Sequence, residues 1–189
     1  MTLDEVRKEI DLIDPQIREL IMHRLDCSVR VVQAKQASGD LTIYRADREE
    51  AILERLGAGV PEDRKAGYLS VVRKIMETSR MYQYGLLYKA DPDVFDKLSG
   101  GLVLPEHSSY VKIRLTRPNC PNAMSSILAM IGDYGYNMKL MALISENESM
   151  NTVTFELTIL GDIVEDHMKQ LMFQLSMESL DFAMLEVCA

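Results

Sequence analysis

Seven polar residues in the first half of the sequence could together hold a small anion. Four of the seven are cationic. Most lie in strongly helical sequence, several of them at positions where the period predicts an apolar or core-facing side chain. A cation at such a position is unfavourable unless an anionic group meets it. A small dianion held inside a helical bundle would explain the whole set: Arg7, Arg24, Lys35, Arg48, Glu49, Ser79 and Gln83.

The spacing of these residues is compatible with one shared site. Arg24 and Lys35 are eleven positions apart, so on a helix they lie within about 20° of one face and about 16 Å apart along the axis. Ser79 and Gln83 share a face as an i, i+4 pair, and the Gln83 amide donates a hydrogen bond at any pH. Each residue alone also fits an ordinary solvated helix surface, so the spacing leaves both interpretations open.

Composition and charge narrow the class of protein. The chain has 189 residues, and its formal charge of −8 falls entirely on residues 91–189. An acidic second half argues against binding to nucleic acid or to an anionic membrane surface. No apolar run approaches the ~20 residues of a membrane span, and no secretory pattern is present. Three widely spaced cysteines indicate reduced thiols, a cytoplasmic location and no metal site, with Cys27 as a small core residue.

The elements that would position the seven residues are helical. An apolar period runs from residue 3 to about 38 without slipping at Pro15, which predicts one long helix with a bend. Two further helices are expected over about 45–56 and from near Pro61 to about Lys89. A helix of some 36 residues would be about 54 Å long, more than a domain of this size covers, so a second copy is expected to cover the rest.

After residue 90 the pattern changes. Residues 91–107 contain Pro and Gly-Gly and predict a linker. The remainder predicts βαββαβ, an antiparallel sheet with two helices on one face. The strands are expected near 111–115, 137–145, 152–160 and 180–187, with helices over 122–134 and 163–177. We therefore predict a helical domain over 1–90, a linker over 91–107 and an α+β domain over 108–189.

Three segments of the first half resemble the all-helical chorismate mutase family. They read LDEVRKEIDLIDPQIRELIMHRLDCSVRVVQAK, ADREEAILERL and ETSRMYQ. The resemblance implies an intertwined dimer of three-helix domains that converts chorismate to prephenate in aromatic amino-acid biosynthesis, without a cofactor. A rearrangement of this kind needs a substrate held compact and charge placed at the breaking ether bond, and it needs no nucleophile.

The resemblance also implies residue roles. Arg24, with Arg7 from the partner subunit, would bind the two substrate carboxylates. Lys35 and Gln83 would donate to the ether oxygen, and Glu49 would hold the substrate hydroxyl. Substrate binding at the carboxylate end would be supported by Arg48 and Ser79. One position departs from the family: Arg45 stands where an acidic residue is common, and we expect a modest effect.

The second half resembles the ACT domain, a ferredoxin-like regulatory module that commonly binds amino acids between paired copies. The segments that carry this resemblance are Pro121 to Met124 before the first helix and Gly135 to Met138 at the second strand. Asn122 takes the place of a glycine that is frequent in the family. The resemblance implies feedback by an aromatic amino acid, with effector-binding residues Asn122, Ala123, Met124, Tyr136 and Asn137.

Two other functions remain open at the level of sequence. An isochorismate-pyruvate lyase on the same helical scaffold would use the same carboxylate grip, although Gln83 and Glu49 favour the mutase. A dimeric amino-acid sensor without catalysis is the other alternative, and the intact set of pocket residues disfavours it. The effector, the sign of regulation and any oligomer beyond a homodimer are not determined by the sequence.

Overall fold

The chain forms two compact units in a computed structural model that describes residues 1–121 and 123–189. The first unit is Met1–Leu87 and the second is Tyr88–Ala189. The first is helical and the second is α+β, as the sequence predicts. Among the described residues, no helix is both long enough and apolar enough to cross a membrane.

The helical unit consists of α1 (Leu3–Ser38), α2 (Ala46–Gly57) and α3 (Glu62–Ala90), whose last residues belong to the second unit. A capping box begins α1: the Thr2 side chain accepts from the Glu5 amide, and the Glu5 carboxylate accepts from the Thr2 amide at 2.7 Å. Gly39 ends α1 in the left-handed region, with φ of 74°. The prediction of one helix through Pro15 is confirmed.

Only a small part of the apolar surface of α1 is buried in one copy of the chain. Val32 is buried together with Val72 and Met76 of α3. The apolar side chains earlier in α1 are exposed, with Ile13 at 45% and Ile17 at 48% of their full accessibility. An apolar stripe of this length is unusual on the surface of a globular domain.

The segment predicted to be a linker contains a short helix, α4 (Val94–Leu98). Phe95 is buried, and the Lys169 Nζ lies 5.4 Å from the centre of its ring. The sequence did not predict this helix over Val94–Leu98. The reason is tertiary, because a single aromatic side chain in a polar stretch shows no period that would predict a packed turn.

The second unit contains β1 (Tyr110–Pro118), α5 (Ala123–Asp133), β2 (Asn137–Asn147), β3 (Thr152–Leu160), α6 (Asp166–Met177) and β4 (Asp181–Cys188). The four strands form one antiparallel sheet in the order β2-β3-β1-β4. The predicted βαββαβ order and ferredoxin-like class are confirmed. Alternate residues of β1 and β3 are fully buried and form the core with α5 and α6: Val111, Ile113, Leu115, Leu157 and Ile159.

The helix α6 begins at Asp166, three residues later than predicted. The Asp162 carboxylate explains the delay, because it accepts from the backbone amides of Ser108 at 2.9 Å and Val164 at 3.2 Å. These bonds hold the segment before α6 as a loop. Gly161 enters this loop with φ of 145°, a conformation that L side chains rarely adopt, and a Cβ there would lie 2.8 Å from the Tyr136 ring. Both features favour glycine at this position.

A buried polar network crosses the second unit. Arg117 on β1 lies 3.7 Å from Glu178, and their side chains are 7% and 1% exposed. Glu178 accepts from the Gln174 amide at 3.0 Å, and Gln174 in turn accepts from the Tyr134 hydroxyl at 3.0 Å. Burial, with the charge of Glu178, raises the pKa of Tyr134 above its usual value.

Candidate active site

A cavity of about 250 Å³ lies within the helical unit. Six of the seven residues predicted for an anion site line it: Arg24, Lys35, Arg48, Glu49, Ser79 and Gln83. They come from three helices, so the packing of α1, α2 and α3 brings them together. The apolar part of the lining is Cys27, Val31, Ile43, Ile52 and Met76.

Arg7 is the predicted site residue that does not line this cavity. It lies in the first turns of α1, and its guanidinium is 3.5 Å from Asp4 at an exposed position. The resemblance assigns Arg7 to the site of the partner subunit. A position near the start of α1, away from the cavity of its own chain, is compatible with that expectation.

The guanidinium of Arg24 is held by neutral groups on α3. Its Nη1 donates to the Ser79 hydroxyl and to the Ile75 carbonyl, the latter at 3.2 Å. Ser79 is buried. These bonds fix the direction of the guanidinium without neutralising its charge, so Arg24 remains able to meet a carboxylate.

Lys35 and Gln83 complete the set of donors. The Lys35 ammonium donates to the Thr42 carbonyl, and the Gln83 amide nitrogen donates to the Ser79 carbonyl at 3.1 Å. An ammonium has three hydrogens and an amide nitrogen has two, so each group keeps a donor for a ligand. Within the described residues, Arg24, Lys35 and Arg48 form no ion pair with a carboxylate, and the cavity therefore presents three positive charges to an anion.

The acidic residue of the cavity, Glu49, has a cationic partner. The Arg80 guanidinium on α3 forms an ion pair with the Glu49 carboxylate on α2. The same guanidinium lies 4.8 Å from the centre of the Tyr44 ring, a cation–π contact. Sequence reasoning gave Arg80 no role, although its place directly after Ser79 in the ETSRMYQ segment could have drawn attention to it.

Arg45, the residue that departs from the family pattern, also lines the cavity. Its guanidinium pairs with Asp40 at 2.7 Å. Hydrogen bonds from Thr42 and then from Arg45 lower the pKa of Asp40 to about 2. Asp40 therefore stays ionised at neutral pH and compensates the charge of Arg45. The charge of Lys35 also contributes, more weakly, to the lowered pKa of Asp40.

Two expectations about burial are wrong. Arg24 and Arg48 are exposed in one copy of the chain, and Lys35 is half-buried, so the cations do not occupy a closed core. The reason is that the cavity between the three helices is open to solvent, so Arg24 and Arg48 remain accessible. Cys27 is exposed and lines the cavity, so it is not core filler.

The predicted effector site is only partly assembled. Ala123 and Met124 line a second cavity of about 460 Å³ at the start of α5, beside β2 and β3. Tyr136 and Asn137 do not line it, because they follow the other end of an eleven-residue helix that is about 16 Å long. Tyr136 instead donates to Glu165 at 2.7 Å. The predicted residue Asn122 lies outside the described part of the chain.

The fold and the cavity define a class: a helical domain with a cation-lined pocket, followed by a ferredoxin-like α+β domain. Residues 6–84 match the model of a family described as chorismate mutase type II. The matched stretch lies in the helical part of the chain, from α1 to α3. The match covers the six cavity residues and Arg7.

Two further comparisons concern solved structures and curated proteins. A solved structure described as GqqA, a novel type of quorum quenching acylases, is similar to this chain with a TM-score of 0.42 and 19% identity. The similarity covers 46% of this chain and 45% of that chain, and it supports no conclusion about this protein. A search of curated proteins gave no match.

Proposed function

We propose that the protein is a chorismate mutase, which rearranges chorismate to prephenate in aromatic amino-acid biosynthesis. The observation that carries the proposal is one cavity with three cations that form no ion pair with a carboxylate among the described residues, beside the amide of Gln83. The three cations are Arg24, Lys35 and Arg48. A doubly negative substrate would satisfy these charges. The match of residues 6–84 to chorismate mutase type II supports the same reaction.

The proposed mechanism uses positioning and charge alone. Arg24 grips one carboxylate and keeps the reacting ends of the substrate close, which removes much of the entropic barrier. Lys35 and Gln83 donate to the ether oxygen as its carbon–oxygen bond breaks and negative charge develops there. Because these donors are stronger partners for the transition state than for the ground state, they raise kcat.

We propose further that the active enzyme is a homodimer. Arg7 lies well outside the cavity of its own chain, and the exposed apolar stripe on α1 offers a face for a second copy. In such a dimer Arg7 would reach the cavity of the partner and bind the second carboxylate. Sedimentation analysis of the full chain tests this, and a monomer at micromolar concentration with full activity would contradict it.

The decisive test of function is the product formed from two related substrates. The full chain is incubated with chorismate or with isochorismate, and prephenate, salicylate and pyruvate are separated and quantified. Prephenate from chorismate supports the mutase, whereas salicylate and pyruvate from isochorismate support the lyase alternative. If neither substrate is consumed, the mutase proposal is wrong and a non-catalytic sensor becomes the better description.

We also propose that the α+β domain regulates the mutase by binding an aromatic amino acid. Ala123 and Met124 beside the second cavity support this, together with the predicted ACT-like class. An effector can change activity only if it binds two states of the enzyme unequally. Phenylalanine and tyrosine are titrated against both activity and melting temperature, and no response in either assay would remove the regulatory role.

A further inference from the structure

We propose that Arg80 is a positioning residue of the mutase: it holds the Glu49 carboxylate in place to accept from the substrate hydroxyl. This inference rests on the proposed function, because it assigns Glu49 to the hydroxyl of bound chorismate. Glu49 lies on α2 and Arg80 lies on α3, 31 positions later in the chain. The pair therefore joins two of the three helices that form the cavity.

The burial of the pair favours a well-defined geometry. The Arg80 side chain is 10% exposed and that of Glu49 is 24% exposed, so the contact is shielded from water. Both residues line the cavity. The Tyr44 ring, 4.8 Å from the guanidinium carbon, restricts the guanidinium further. A shielded, hydrogen-bonded ion pair holds a carboxylate far more tightly than an exposed pair does.

The surroundings of Glu49 explain why it needs a fixed partner. The cavity also contains Arg24, Lys35 and Arg48, which the proposed function reserves for the substrate and the ether oxygen. A carboxylate without its own partner would be attracted to one of those cations and would compete with the dianion for it. Arg80 supplies the countercharge on the side of α3, so the other three cations stay available to the ligand.

The test is a double-mutant cycle on the full chain, with Arg80→Met, Glu49→Gln and the two combined. Arg73→Met is the matched control, since Arg73 is an exposed arginine on the same helix and does not line the cavity. Initial rates with chorismate give kcat and KM for each variant, and thermal melting reports folding. The wild-type chain is assayed in parallel. If it converts chorismate, a negative result with the variants counts against the role of Arg80 and not against the proposed function.

We expect Arg80→Met to lower kcat/KM about tenfold or more, chiefly by raising KM. Glu49→Gln should likewise act chiefly by raising KM. When Glu49→Gln is already present, adding Arg80→Met should change kcat/KM by less than about threefold, because the group that Arg80 positions has gone. Arg80→Lys keeps the charge and should recover part of the loss, and Arg73→Met should match the wild type.

Three outcomes would overturn the inference. One is an undiminished effect of Arg80→Met in the Glu49→Gln background, which would mean that Arg80 acts independently of Glu49. Another is a fall in kcat with KM unchanged and a lower melting temperature, which is the signature of a smaller folded fraction. If Arg80→Met fails to fold, Arg80→Lys and its combination with Glu49→Gln are judged by the same criteria. A wild-type chain that leaves chorismate unchanged would overturn the proposed function as well.

Discussion

Each unit contains an arginine that neighbouring side chains hold in place, but the two units treat its charge differently. In the α+β unit, Arg117 is buried and paired with Glu178, which is itself hydrogen-bonded to Gln174. In the helical unit, Arg24 is exposed to the cavity and held only by the neutral oxygens of Ser79 and Ile75. The first charge is neutralised within the chain, whereas the second is left for a ligand.

This contrast distinguishes a structural charge from a functional one. Removing one member of a buried pair leaves an uncompensated charge in a low-dielectric region, so it lowers stability. Removing a cation from an open pocket costs the fold little, since that cation has no carboxylate partner to leave behind. We therefore expect stability to depend on the buried pair and turnover to depend on the pocket cations, and four predictions test this division.

The largest expected effect is on the stability of the α+β unit. Glu178→Gln should lower the free energy of unfolding by about 3–5 kcal/mol, because Arg117 would be left buried without its countercharge. Urea unfolding followed by circular dichroism measures the change, with Glu148→Gln in the exposed hairpin as the control. A loss in unfolding free energy equal to that of the control would mean that the charge of Arg117 is compensated elsewhere. The contrast between the buried pair and the pocket cations would then be wrong.

The second prediction concerns turnover. Lys35→Ala should reduce transition-state stabilisation by about 3 kcal/mol or more, roughly two orders of magnitude in kcat/KM, because a donor to the ether oxygen is lost. The melting temperature of this variant should stay close to that of the wild type, because the substitution removes only one hydrogen bond within the fold, to the Thr42 carbonyl. Lys8→Ala, at an exposed position of the same helix, is the control. Turnover near the wild-type value would remove Lys35 from the mechanism.

The third prediction concerns a hydrogen-bonded pair at the surface of the α+β unit. His107 lies 2.7 Å from Asp162, and this contact, with amide hydrogen bonds, lowers the pKa of Asp162 to about 2. A lowered carboxyl pKa means that the ionised group stabilises the fold above its ordinary pKa and that this contribution is lost as the pH falls toward about 2.

The measurement for this pair is melting temperature against pH for the wild type and Asp162→Asn. The variant should melt a few degrees lower at pH 6, and the difference should shrink from below about pH 4 toward pH 2. A difference that stays constant over that range would show that the Asp162 charge does not contribute. The effect should be smaller than that of Glu178→Gln, because the pair is at the surface.

The smallest expected effect is the pH dependence of the wild-type rate. The Gln83 amide donates without needing a proton from solution, so kcat/KM should vary less than about twofold between pH 6 and pH 8. Gln83→Glu should make the rate rise toward acid, because a carboxyl group must be protonated before it can donate. A steep fall in the wild-type rate over this range would contradict the role of Gln83.

Local sequence signals were sufficient for most of the fold. The apolar period of α1 and the turn residues at Gly39 predict one helix from residue 3 to about 38, and α1 has these bounds. Strict alternation in β3 predicts a strand with one buried face, and its predicted bounds are those observed. Such signals depend on neighbours within a few positions, so a sequence alone carries them. Phe95 in α4 shows the limit, because nothing around it indicates what it packs against.

The sequence by itself determined the order and type of the elements and which polar residues could share a site. Only the tertiary structure decided which charges are compensated: Arg80 meets Glu49 across 31 positions, and Arg24 meets Ser79 across 55. It also decided that Cys27 faces the cavity and that Tyr136 lies away from Ala123. The physical reason is that propensity and period act over one or two helical turns, whereas the partner of a charge is set by how distant helices pack.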